Sequence, residues 1–284
     1  MTASTRYTRH SFYVLTENSL TLVSVVLFSI ILLLAIIGPT IAPYDPLTTN
    51  TASSLMPPSA LHWFGTDQLG RDICSRVLVA TRLDLVIAAS AVSISFVIGS
   101  LLGAICGYYE GFLDWLIGRG IDVMMAFPLF VLAMALVAAL GNTVVNIVYA
   151  TAIINIPFYF RLARAEINVR RHSGYVEAAR LSGNSNARII LTYLLPNALP
   201  TLVVQISINM GWAILNAAGL SFIGLGVRPP TAEWGIMVAQ GAVLVIGGQW
   251  WVALFPGLAL MIVVFCFNLL GDALRDIVDP RRRT

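Results

Sequence analysis

Long apolar intervals, each closed by turn formers or charges, set the rhythm of this chain. Leu20–Ile41 holds about 22 nearly uninterrupted apolar residues and ends among Gly38, Pro39 and Pro43. At about 1.5 Å of rise per residue, such a helix crosses the hydrocarbon core of a bilayer. The run is longer than the roughly 7–15 residues of a signal-peptide core and lacks a convincing cleavage site, so it is read as a retained span. Further spans are expected at Leu83–Tyr109, Gly120–Leu140, Val144–Phe160, Asn197–Leu220 and Trp250–Leu270. A short turn, Glu110–Arg119, precedes the third, in which Pro128 introduces a kink. Ile236–Gly247 is apolar but about a dozen residues long, too short to cross, and reads as re-entrant or interfacial. The pattern predicts an all-α integral membrane protein with six transmembrane helices.

The intervening segments are polar. Residues 1–19 form a tail, residues 42–82 a proline-rich loop, and residues 271–284 a second tail ending in Arg281, Arg282 and Arg283. Tyr175–Pro196, YVEAARLSGNSNARIILTYLLP, is the most polar long interval of the second half. It opens with a short run of good helix formers around Glu177, Ala178 and Ala179, and Gly183 supplies a stop.

Composition agrees with the spans. The 284 residues are 58% hydrophobic and 11% charged, with mean hydropathy +0.83; a soluble domain carries about 25% charged residues. All 17 basic residues are arginine. A phosphate-binding Walker A loop needs its lysine, so this chain is not an ATP-hydrolysing subunit. HExxH, CxxC and GxSxG are absent, and Cys74, Cys106 and Cys266 are too scattered to imply a disulfide framework.

Charge also sets an orientation. Six crossings place both termini on one side. With the termini in the cytoplasm, 13 arginines face inward (Arg6, Arg9, Arg119, Arg161, Arg164, Arg170, Arg171, Arg180, Arg188, Arg275 and Arg281 to Arg283). Only Arg71, Arg76, Arg82 and Arg228 face outward. That asymmetry follows the positive-inside rule. No Asp, Glu, His or Arg falls in the central part of any expected span. Ion-coupled carriers and intramembrane enzymes need such groups, so the driving energy is expected to come from elsewhere.

Three further patterns carry candidate roles. Gln205, Asn209, Trp212 and Asn216 recur at helical spacing in the fifth span, either lining a translocation path or hydrogen-bonding between helices. Gly99 and Gly103 form a Gly-x-x-x-Gly pair suited to close helix approach. Asn155 beside Pro157 is read as a packing residue. In HWFGTDQLGRDICSR, Gly65 and Gly70 permit turns while Asp67, Arg71 and Asp72 are spaced for ion pairs or helix capping. A structural role is favoured there over contact with substrate or a binding protein.

These motifs resemble one family. Glu177, Ala178, Ala179, Gly183, Leu195 and Pro196 match the Glu-Ala-Ala-x3-Gly-x9-Ile-x-Leu-Pro loop of permease subunits in ABC importers, with Tyr193 at the isoleucine position. The Gly-Thr-Asp-x-x-Gly-Arg-Asp element, AGLSFIGLGVRPP with Glu233-Trp234-Gly235, and NLLGDALRDIVDP are similar to the dipeptide/oligopeptide/nickel branch, so the likeness covers nearly the whole chain. The resemblance implies a tail at 1–19, an N-terminal helix and extracytoplasmic loop at 20–82, and a five-helix type I permease domain at 83–284. Within that domain the coupling loop lies at about 161–197, with Tyr175 and the motif residues docking on an ATPase. It further implies a second homologous permease, two ATPase subunits and an extracytoplasmic solute-binding protein as partners in a bacterial inner membrane, and no nucleic acid. The chain itself binds no cofactor; ATP and Mg belong to the ATPases. Di- or oligopeptide import is the leading function, a nickel or metal-chelate importer the alternative within the family, and a secondary carrier or channel a distant one.

Overall fold

The computed structural model describes residues 19–278, and among them every regular element is helical. Helix α1 (Ser19–Ile41) is followed by a loop with one 3-10 turn, then α2 (Ile73–Tyr109), α3 (Gly111–Ala126) and α4 (Leu129–Leu140). Next come α5 (Val144–Arg170), α6 (Gly174–Leu181), α7 (Asn186–Phe222), α8 (Trp234–Ala242) and α9 (Trp251–Val278). Helices α1, α2, α5, α7 and α9 are each long and apolar enough to span a bilayer. The α3–α4 pair passes the same test only as a unit bent by 94°, bringing the total to six if the pair is one span.

Several expected boundaries move. The loop expected to reach Arg82 ends at Asp72, whose carboxylate accepts from Ser75 N at 2.7 Å and caps α2 there. Helix α2 therefore starts before Leu83. The expected turn Glu110–Arg119 is helical from Gly111, and Asp114 finds an arginine partner on α5 instead of marking a loop. Pro128 causes a break rather than a kink: Phe127 is extended, as the residue before proline prefers. Helix α5 continues past Phe160 to Arg170, and α7 begins at Asn186 rather than Asn197. A π-helical turn at Ile189–Leu194 lies just before Pro196, which has no N–H for the regular ladder. The 161–197 interval is thus mostly helix. The sixth span also runs on beyond Leu270, to Val278. The expected tails, apart from Ser19 and residues 271–278, lie outside the described residues.

The tightest seam joins α2 to α5, and glycine makes it possible. A Cβ on Gly99 would sit 2.7 Å from Tyr159 Cβ, and one on Gly107 would sit 2.5 Å from Arg164 O. One on Gly103 would fall inside contact distance of Phe160 O. The expected glycine pair is part of a triplet at four-residue spacing. Around this seam α7 and α9 bury Leu202, Ala213, Ile214, Val263 and Phe267. Helix α1 packs on the outside, where Gly38 meets the Leu78 backbone and Phe28 meets Phe267 edge to face.

Candidate functional site

Helix α6 occupies the polar end of the bundle. Ser173 O accepts from Val176 N and Glu177 N to start it. It stops in a Schellman-type turn: Asn184 N reaches Ala179 O, Gly183 N reaches Arg180 O, and Gly183 takes φ +76°, which favours glycine. Val176 and Ala179 are buried in the same core as Tyr108, Ile189, Ile190 and Leu194. The opposite face carries Tyr175, Glu177, Ala178 and Leu181 to the surface, with Leu181 90% exposed. Leu195 is half-buried and Pro196 exposed at the foot of α7.

Polar contacts tie this helix to its neighbours. Tyr108 Oη donates to Asn186 Oδ1 at 2.8 Å and accepts from Arg180 Nε at 3.4 Å; the Arg180 guanidinium lies 5.3 Å from the Tyr108 ring centre. Beside it, Arg164 holds Asp114 through two bonds of 2.5 Å, Arg161 holds Asp122, Arg171 holds Glu110, and Arg170 pairs with Glu166. The Arg164–Asp114 contact is partly exposed and of modest energy.

At the other end of α2 the glycine–aspartate–arginine element closes on itself. Asp67 accepts from Leu69 N, Arg71 N and Arg71 Nε. Asp72 accepts from Ser75 N and Oγ and contacts His62 Nδ1 at 2.9 Å. Gly65 and Gly70 are left-handed, and a Cβ on Gly65 would strike Met56 O at 2.6 Å and the Trp251 ring. Fully buried Arg76 donates to Pro46 O and Pro230 O, joining two loops far apart in sequence.

The polar stripe of α7 does not face one way. Asn209, only 2% exposed, accepts from Gln205 Nε2 at 2.9 Å and lies near the buried Tyr159 hydroxyl. Trp212 is 60% exposed, while half-buried Asn216 donates to Trp212 O on its own helix. Asn155 is buried and donates to Thr151 O.

One constellation escaped the sequence reading. Asp84 lies about three turns inside α2, buried, and accepts from Trp234 N at 3.1 Å. Its carboxyl bonds that of Glu233, which caps α8 by accepting from Gly235 N and Ile236 N and also bonds Ser221 of α7. Burial pushes Glu233 above its ordinary pKa of 4.5, with the backbone donors partly opposing the shift. Two carboxylates this close repel one another unless one of them holds a proton. Asp84 lies farther inside its helix than the expected start at Leu83 implied, because α2 begins at Ile73. The Asp72 cap was the available signal.

Spanning helices, a polar-end helix anchored by its buried face, and a self-closed loop at the opposite end define a multi-pass membrane subunit. Residues 99–284 match the family described as binding-protein-dependent transport system inner membrane component. Residues 7–58 match the N-terminal TM domain of oligopeptide transport permease C. A probable D,D-dipeptide transport system permease protein, DdpC, of Escherichia coli K12 is 46% identical, covering 95% of this chain and 90% of the relative. A dipeptide transport system permease protein, DppC, of Alkalihalophilus pseudofirmus is 41% identical, covering 97% and 90%. A glutathione transport system permease protein, GsiD, of Escherichia coli O157:H7 is 44% identical, covering 90% and 84%. The chain belongs to the family of binding-protein-dependent transport system inner membrane components.

Proposed function

We propose that this chain forms half of the translocation pore of an ATP-driven, binding-protein-dependent importer of di- or oligopeptides. The carrying observation is the two-faced α6: Val176 and Ala179 are locked into the bundle while Tyr175, Glu177, Ala178 and Leu181 are left outward. That face suits docking on an ATPase subunit, so closure of two ATPases would be felt by the spans as a population shift between inward- and outward-facing states. A second, related permease completes the pore, with Trp212, Asn216 and Gln205 toward it and Asn209 packing within this chain. Both termini are cytoplasmic, and a solute-binding protein delivers substrate from the other side. Catalysis resides in the ATPases, with their ATP and Mg; this chain catalyses no reaction. The names of its relatives support peptide as the substrate class.

Ala178 is exposed, so Ala178→Trp spares the core and blocks docking. Uptake of a labelled dipeptide in cells relying on the variant is expected to fall at least about tenfold, equivalent to a loss of about 1.4 kcal/mol, with unchanged amounts in the membrane. Full ATP-dependent uptake by the variant would sink the coupling role. Loss of labelled nickel uptake instead of dipeptide uptake on gene deletion would move the substrate.

A further inference from the structure

Two apolar cavities run end to end beside α1 and α2 and share Arg82 and Val86 in their walls. The upper, about 620 Å³, is lined by Pro39, Pro46, Val79, Arg82, Pro230 and Thr231 among others. The lower, about 420 Å³, is lined by Leu32, Ala35, Ile36, Leu85, Val86 and Ala89, again with Arg82. Arg82 is exposed and has no hydrogen-bond or carboxylate partner among the described residues, whereas Arg161, Arg164, Arg170 and Arg171 are each paired with a carboxylate. From Arg82 to Ala89 the helix rises about 10 Å, so the cation sits at the mouth of a groove that descends into the apolar part of the bundle.

We propose that this seam binds a membrane phospholipid, its phosphate on the Arg82 guanidinium and one acyl chain laid along Leu32, Ile36, Val86 and Ala89. An exposed guanidinium beside apolar walls favours an anion with a hydrocarbon tail, and its planar fork matches phosphate oxygens. Thr231 offers a hydroxyl beside the same mouth. The groove wall contributed by α1 is membrane-facing: Ile36 is 71% exposed, and α1 packs chiefly on α2 and α9. The lipid would fill the gap between α1 and α2 and hold α1 against the bundle from the leaflet nearest the 42–72 loop. The site rests on these residues and not on the identity of the transported solute.

The full chain, purified in its assembled transporter and delipidated in detergent, would be titrated with dioleoyl phosphatidylglycerol and followed by native mass spectrometry. Wild type is expected to retain one more lipid per chain than Arg82→Gln, whose half-saturation shifts upward about tenfold, the scale of one lost charge-assisted contact. Arg82→Lys should recover part of the binding, and Ala89→Trp, which fills the groove and keeps the charge, should lose it. Equal retention by wild type and Arg82→Gln overturns the site. Displacement of bound lipid by millimolar inorganic phosphate, or protection by phosphate alone, overturns the lipid in favour of a free anion. Quantitative cross-linking of Val86→Cys to a partner permease in intact membranes also overturns it, because the groove would then be covered by protein. Dipeptide uptake by the same variants is read separately, so a failed lipid site leaves the permease reading standing.

Discussion

At the scale of single residues, the Asp84–Glu233 pair makes a pH-dependent contribution to stability. Glu233 has a raised pKa in the folded chain, so the fold holds a proton that the unfolded chain releases at lower pH. Stability from this group is therefore complete below the ordinary value near 4.5 and falls as pH rises toward the folded pKa. Glu233→Gln keeps a side-chain oxygen for the α8 cap and removes the titration. The thermal midpoint of the wild-type transporter in detergent should drop as pH rises above about 4.5 more steeply than that of Glu233→Gln. Parallel profiles for the two proteins would dismiss the raised titration of Glu233. Asp84→Leu should be worse than Asp84→Asn at every pH, by about 1–3 kcal/mol, because it leaves Trp234 N–H and Glu233 without their buried partner. The sequence offered Glu233 only as part of a loop, since nothing local shows that residues about 150 positions apart meet.

At the scale of elements, the α2–α5 seam turns on whether a Cβ fits. Gly103→Val would force branched carbons against Phe160 O and Ala163 Cβ, backbone and short side chain that cannot step aside. The cost should be at least about 2 kcal/mol, read as a lower thermal midpoint and poorer membrane yield. Gly118→Val on α3, where an added Cβ meets nothing within 4 Å, is the matched control and should leave the midpoint nearly unchanged. Similar losses in both would show helix propensity rather than packing at work. This seam was half legible: Gly99 and Gly103 stood out by spacing, while Gly107 lay at the polar margin of its span. Long apolar runs announced α1 and α9 for the same reason, since a lipid-facing helix needs little else. The first half of helix α3 stayed hidden because Asp114 read as part of a turn until Arg164 of α5 came beside it.

At the scale of the whole molecule, a push on α6 has to reach the spans, and Tyr108 stands where α6 meets two of them, α2 and α7. Its hydroxyl joins the end of α2 to Arg180 of α6 and Asn186 at the start of α7, and its ring is buried among Val176, Ala179 and Ile189. The motif pointed to α6, but its anchorage was illegible, because no spacing rule links positions 108, 180 and 186. If the clamp transmits force, Tyr108→Phe should keep the packing and assembly yet lower dipeptide taken up per ATP hydrolysed by roughly two- to fivefold, the effect of about 0.5–1 kcal/mol. Asn186→Ala should do likewise. The pair made together should cost no more than the larger single change, because both remove one bond, and that non-additivity separates a shared contact from two unrelated defects. Additive losses would place Tyr108 and Asn186 in different steps of the cycle. Intact coupling in all three variants would leave the buried face of α6, Val176 and Ala179, as the sole mechanical link to the spans.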